Sequence, residues 1–235
     1  MRAQASNNRK GMDVASASGS RAGRPRKVFS PAVQSTRDER AARTREQLLV
    51  SAARIVGEFG YRDASIQRIT ADAGMAQGTF YLYFESRQAL FDELLPHFGL
   101  HMLEHVRERA HGKSDFFEIE EIGARAVFEY LQENTWFWRV LNEAEVEAPA
   151  AWARHHEEVV QRYMKFLKRA RRAGVITKYR EDELDTLAYL LIAARDYLYL
   201  YHLHRSKQNS GIPESVVRTY MQFVRGGLDA SPPTA

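Results

Sequence analysis

Residues 73–91 read AGMAQGTFYLYFESRQALF. Gly74 closes one helical pattern, and Phe80, Tyr81, Tyr83 and Phe84 then crowd into the next. Immediately upstream, YRDASIQRITADAG (61–74) offers Ser65 as an N-cap, Ile66, Ile69 and Ala73 as a short apolar stripe, and Gly74 as the stop. Two short helices joined by a three- or four-residue turn that contains glycine make a helix-turn-helix. The second helix is predicted from about Gln77 to Phe84, too short to bury every face. Phe80 and Phe84 are four residues apart, so they share one face and pack inward. Tyr81 and Tyr83 fall on the other faces, where their hydroxyls can reach phosphate. The second helix of such a motif lies in the DNA major groove with its leading residues at base edges. Gln77 can pair there with adenine or phosphate, Gly78 lets the backbone approach, and Thr79 offers a hydroxyl and a methyl. Arg87, in the first turn of the following helix, adds a cation. Arg43, Thr44 and Arg45 on the preceding helix, with Ser65 and Arg68, complete the candidate DNA-binding set.

The flanks fit this motif. Leu48, Ala52, Val56 and Phe59 recur at helical spacing, and Gly60 stops that helix. Ser86 caps a long helix carrying Leu90, Leu94 and Leu95, with a kink or break expected at Pro96. Beyond it, residues 116–134, 136–147, 150–173, 181–204 and 214–226 all read as helix, punctuated by Pro149, Gly174 and SKQNSGIP (206–213). Neither strand alternation nor an internal repeat is legible. The predicted fold class is all-α, about nine helices: a basic arm (1–38), a helix-turn-helix domain (39–95), a ligand-binding and dimerisation bundle (96–228) and a tail (229–235).

Charge is laid out unevenly. Residues 1–45 hold eleven Lys/Arg and three Asp/Glu, a formal charge of +8, against −4 for the remainder. A basic front on a mildly acidic body points to a polyanion partner for the front. The 235 residues include no cysteine, which excludes a disulfide scaffold and thiolate chemistry. No apolar run approaches the roughly 18–20 residues that span a bilayer, and the N-terminus lacks a secretory core. The expected address is the cytoplasm, at the nucleoid.

The segment TREQLLVSAARIVGEFGYRDASIQRITADAGMAQGTFYLYFESRQALFDELL (44–95) resembles the DNA-binding region of TetR-family transcriptional regulators. The likeness rests on Phe59-Gly60-Tyr61, on Ser65 before Ile66 and Ile69, on Ala71-Asp72-Ala73-Gly74, on Gly78-Thr79-Phe80-Tyr81-Leu82-Tyr83-Phe84, and on Ser86-Arg87 with Leu90. Arg87 stands where the family often has lysine, and Phe80 where it often has leucine. The resemblance covers about a fifth of the chain. It implies a homodimer whose last two helices form a four-helix interface, and middle helices that enclose a ligand pocket.

Within the arm, AGRPRK (22–27) resembles an AT-hook core. Pro25 keeps the strand extended, so Arg24 and Arg26 can lie in a narrow A·T minor groove. In the body, Trp136, Phe137, Trp138, Trp152 and His155 cluster in NTWFWRVLNEAEVEAPAAWARHH, and Tyr163, Arg195 and Tyr199 follow. These are the candidate ligand-binding residues for an aromatic or acyl-type molecule, although core packing is the more ordinary reading of each ring. Arg195 can neutralise a ligand carboxylate or phosphate, or pair with Asp196, Glu143 or Glu145. The stretch 184–201 is apolar on most faces, with Leu184, Leu187, Leu191, Leu198 and Tyr201 on one stripe, as expected of an interface helix. His97, His101 and His105 are spaced four apart, but no cysteine assists them and no metal site is assigned. No cofactor motif, phosphate loop or nucleophile motif is present, so an enzyme is not expected. The expected function is a ligand-responsive, dimeric DNA-binding regulator, a repressor on a palindromic operator released by a small-molecule inducer. The alternative is an architectural binder of A·T-rich DNA with no inducer.

Overall fold

The computed structural model describes residues 36–204 and 211–228, with the side chains of 203 and 204 excepted. The AT-hook-like arm, with Arg24 and Arg26, lies outside the described residues. Among those described, nine α-helices follow one another and no strand occurs: α1 (Arg37–Phe59), α2 (Ile66–Asp72), α3 (Gln77–Phe80), α4 (Arg87–Arg109), α5 (Phe116–Glu133), α6 (Phe137–Glu147), α7 (Pro149–Arg172), α8 (Leu184–Tyr199) and α9 (Glu214–Leu228). A single 3₁₀ turn at Glu181–Glu183 leads into α8, and a π-helical turn at Leu200–His204 continues it.

Helices α1 to α3 and the first turns of α4 make the head. Leu48, Ala52 and Val56 of α1 meet Ile69 of α2, Phe80 of α3 and Leu90 of α4, all fully buried. Ser65 caps α2 as its sequence position demands, its Oγ accepting from the Arg68 N–H. Gly74, at φ +66°, turns the chain between α2 and α3 in a conformation costly for any residue with a β-carbon. Ser65→Ala is expected to lower stability by about 1 kcal/mol, the worth of an N-cap hydrogen bond, read from a urea transition at unchanged slope.

Two boundaries differ from expectation. Helix α3 stops at Phe80, and residues 81–84 form tight turns in which Leu82 N–H bonds to Thr79 O and Tyr83 N–H to Phe80 O. The inward-facing pair survives this shortening, with Phe80 fully buried and Phe84 nearly so. Helix α4 runs through Pro96 without interruption. It therefore extends from the head into the body, where it packs along α5 and α7. The buried stripe of α8 is Leu184, Leu187, Ala188, Leu191, Arg195 and Tyr199. Tyr201 lies off it and is exposed, as are Tyr189, Leu190 and Tyr197 of α8 and Phe223 of α9.

Candidate functional sites

The outer surface of the head is where a nucleic acid can dock. Gln77 and Gly78 at the start of α3 are exposed, Thr79 is half-buried, and Tyr81 is 55% exposed. Tyr83 is half-buried and leans on the core. The buried Phe80 and Phe84 rings lie 5.7 Å apart and hold this segment to the scaffold. Arg43 and Arg68 are exposed as well. Arg68 lies over the Phe59 ring and donates to Asp63 O at 3.1 Å. Thr44 bonds back to Arg40 O. Two predicted DNA-binding residues have work inside the head. Arg45 pairs with Glu93 and covers the Phe84 ring, bracing α1 against α4. Arg87 donates to Arg62 O at 3.2 Å.

Only five polar or charged residues are buried among those described: Ser51, Thr70, Glu120, His155 and Arg195. The last three line one cavity of about 630 Å³, enclosed by α4, α5, α6, α7 and α8. Its walls are mostly apolar, as ligand sites generally are. Of the candidate ligand residues, Phe137, Trp152, His155, Tyr163 and Arg195 line it, and Trp136, Trp138 and Tyr199 do not. Successive helical positions point about 100° apart, so the neighbours of Phe137 diverge from it. Trp136 packs on Phe98 of α4, its ring centroid 4.7 Å away, and Trp138 meets Tyr199 of α8 at 5.1 Å.

The polar groups of the cavity form a graded set. Glu120 accepts from two hydroxyls, Tyr163 at 2.5 Å and Tyr220 at 2.6 Å. Arg195 donates Nε–H to Leu191 O at 3.3 Å, and its guanidinium stacks over the Tyr163 ring at 4.8 Å. It forms an ion pair with none of Asp196, Glu143 or Glu145. Burial pushes the Asp196 carboxyl up to about 6, with the Arg195 charge opposing. Burial, helped by the charge of His156, pulls His155 down to about 4, which leaves it neutral at pH 7.

Helix α6 connects the two regions. On one side Phe137 and Leu141 line the cavity. On another, α6 grips the end of α1. Arg139 donates to Glu58 O at 2.8 Å, and Glu143 pairs with Arg139 at 2.6 Å while accepting the Tyr61 N–H at 2.9 Å. The orphan carbonyls of a helix C-terminus are thus met by a guanidinium from another helix. At Gly57, an added β-carbon would lie 2.3 Å from Trp136 Cβ, so the two helices touch backbone to side chain.

The first histidine of the α4 ladder is otherwise engaged. His97 meets Glu46 of α1 at 3.0 Å and lies beside the His101 ring. No group of three or more His, Cys, Asp or Glu suited to a metal ion occurs among the described residues. Nor is any described helix long and apolar enough to cross a membrane.

Residues 48–94 match the model of a family described as bacterial regulatory proteins, tetR family. Over 77 residues the chain is 40% identical to the uncharacterized HTH-type transcriptional regulator YvdT of Bacillus subtilis (strain 168), covering 33% of this chain and 40% of that one. It is 34% identical over 71 residues to the fatty acid metabolism regulator protein of the same organism, covering 28% and 37%. The chain thus spans about two fifths of the length of these curated relatives. The transcriptional regulator FadR of Bacillus subtilis, solved in complex with stearoyl-CoA, has a similar fold: TM-score 0.68 over 78% of this chain and 98% of that one, at 16% identity. These relatives are named as regulators and not as enzymes.

Proposed function

The head of this chain is that of a TetR-family transcriptional regulator, and from that premise we propose that the whole chain is a dimeric, ligand-responsive repressor. It holds a palindromic operator through two copies of α3 and releases it when a small hydrophobic, acyl or aromatic molecule enters the body. The observation that carries this reading is the pairing, in one chain, of an exposed Gln77–Thr79 edge on a buried aromatic anchor with a mostly apolar cavity of about 630 Å³. The exposed apolar residues Tyr189, Leu190, Tyr197 and Phe223 on α8 and α9 support a two-fold helical interface, since such patches mark association sites. Two heads so joined present their reading helices to half-sites one helical turn apart, roughly 34–36 Å. The fold shared with a regulator solved with stearoyl-CoA supports an acyl-type inducer. Release then follows from differential affinity of the ligand for the two states of the dimer.

Selection of bound fragments from the source genome tests this. A repressor yields one palindrome or a few. Indiscriminate recovery of A·T-rich DNA would instead establish the architectural reading, which leaves the cavity without a role. The arm adds a separable contribution under the same proposal. Deleting residues 1–37 weakens operator binding and flattens its salt dependence, by about 0.9 in log–log slope for each phosphate that the arm neutralises. Titration at several salt concentrations reads this directly, and an unchanged slope would show that the arm does not touch DNA.

A further inference from the structure

We propose that Arg195 is the anchor for a carboxylate, and that the ligand of this cavity is an apolar monocarboxylic acid bound as the free acid anion. The proposal rests on the reading of the cavity as the inducer site and specifies its chemistry.

Arg195 is 8% exposed and lines the cavity, yet the one hydrogen bond its guanidinium makes among the described residues is from Nε to Leu191 O. The terminal nitrogens, a two-pronged donor, have no carboxylate partner. Glu120 makes its hydrogen bonds to Tyr163 through Oε2 and to Tyr220 through Oε1, and acts on Arg195 only as a nearby charge. Asp196 lines the same cavity without closing an ion pair to Arg195, and burial works against its charge. Arg107 and Arg162, the other cations of the lining, are both neutralised by Glu104, and Arg162 also by Glu158. His155 is held neutral by burial. The terminal nitrogens of a buried guanidinium are therefore left without a hydrogen-bonded carboxylate at the wall of a mostly apolar cavity. The charges of Glu120 and Asp196 act on this guanidinium from nearby, but neither meets its terminal nitrogens, whose geometry suits two oxygens in one plane. A carboxylate supplies both, and its hydrocarbon body fills the remainder beside Leu131, Leu141 and Ile192. An acyl thioester carries no such anion at the acyl carbon.

Calorimetric titration of the full-length protein with matched probes tests the assignment. Decanoate and 3-phenylpropanoate present the carboxylate on an aliphatic and on an aromatic body. Decan-1-ol and 3-phenylpropan-1-ol are their neutral counterparts, decylamine reverses the charge, and decanoyl-CoA is the thioester. At least one acid is expected to bind roughly 10- to 100-fold more tightly than its alcohol, the worth of a charged bidentate hydrogen bond. Arg195→Gln abolishes that gap, and alcohol binding that is retained in the variant shows that the cavity is intact. Arg195→Lys keeps part of it. An acid and alcohol of equal affinity in the wild type, a gap that survives Arg195→Gln, or preference for the amine or the thioester overturns the carboxylate anchor alone. If no probe of any head group binds while operator binding persists, the inducer-site reading falls with it.

Discussion

Replacing Gln77 and Tyr83 together by alanine is expected to lower operator affinity on the order of 10³-fold while the chain stays folded. A side chain that reads a base edge contributes ~1–3 kcal/mol, and a two-fold complex forfeits that amount at both half-sites. Gln77 is exposed at the start of α3, makes no packing contribution to the core, and can be truncated at little cost in stability. Tyr83 is half-buried, so alanine there removes packing as well as a hydroxyl. Tyr83→Phe separates the two effects, since it keeps the ring against the core and deletes only the hydroxyl proposed to reach phosphate. Fluorescence anisotropy on the selected operator, with melting temperature as the check on folding, reads the outcome. If the double variant binds with undiminished strength and selectivity, α3 is not the reading element. The polar edge of the head would then be a surface with no nucleic-acid role.

The head is legible in the sequence because its determinants are local. Ser65 caps α2 from one residue away, Gly74 makes its turn alone, and the four-residue spacing of Phe80 and Phe84 places both inward whether or not the helix continues between them. Periodicity extends α3 to Phe84, and the structure ends it at Phe80, because three turn hydrogen bonds and the Ser86 cap reset the backbone and aromatic residues tolerate either conformation. The cavity is only half legible. Helical periodicity places Phe137 and Trp152 on an apolar face, but it does not say which neighbouring element that face meets. Trp136 turns to α1 and α4, Trp138 to α8. Glu120 does not stand out among the acidic residues of α5. A buried carboxylate looks like a solvated one until the tyrosines that donate to it, Tyr163 and Tyr220, are brought beside it from 43 and 100 residues away. The grip of α6 on α1 is hidden for the same reason: Arg139 and Glu143 form an ordinary i, i+4 surface pair in sequence, and the Tyr61 N–H they serve lies 82 residues earlier.

That grip makes α6 one physical route between the proposed ligand cavity and the head, and weakening it has a distinct signature. Glu143→Ala leaves the Tyr61 N–H without its acceptor and Arg139 without its counter-charge, while Phe137 and Leu141 still face the cavity. Ligand affinity and operator affinity measured separately should change little. What disappears is their linkage. A ligand that ordinarily lowers operator affinity by a factor of about 5–150, the usual range of coupling between sites, is expected to lower it by less than about 2 in the variant. Gly57→Ala attacks the same junction from the other side, since its methyl would lie 2.3 Å from Trp136 Cβ and must push α6 away from α1. Overpacking of this kind costs about 1–3 kcal/mol, so the substitution should lower stability as well as linkage, whereas Glu143→Ala acts mainly on linkage. Helix α4 offers the competing route, because His155 lines the cavity and its ring packs against Gly99 of α4, the helix that continues into the head. Full induction retained in Glu143→Ala would assign transmission to α4. Induction abolished with both binding affinities intact would assign it to α6, where a shift of one helix both reshapes the cavity wall and loosens the end of α1.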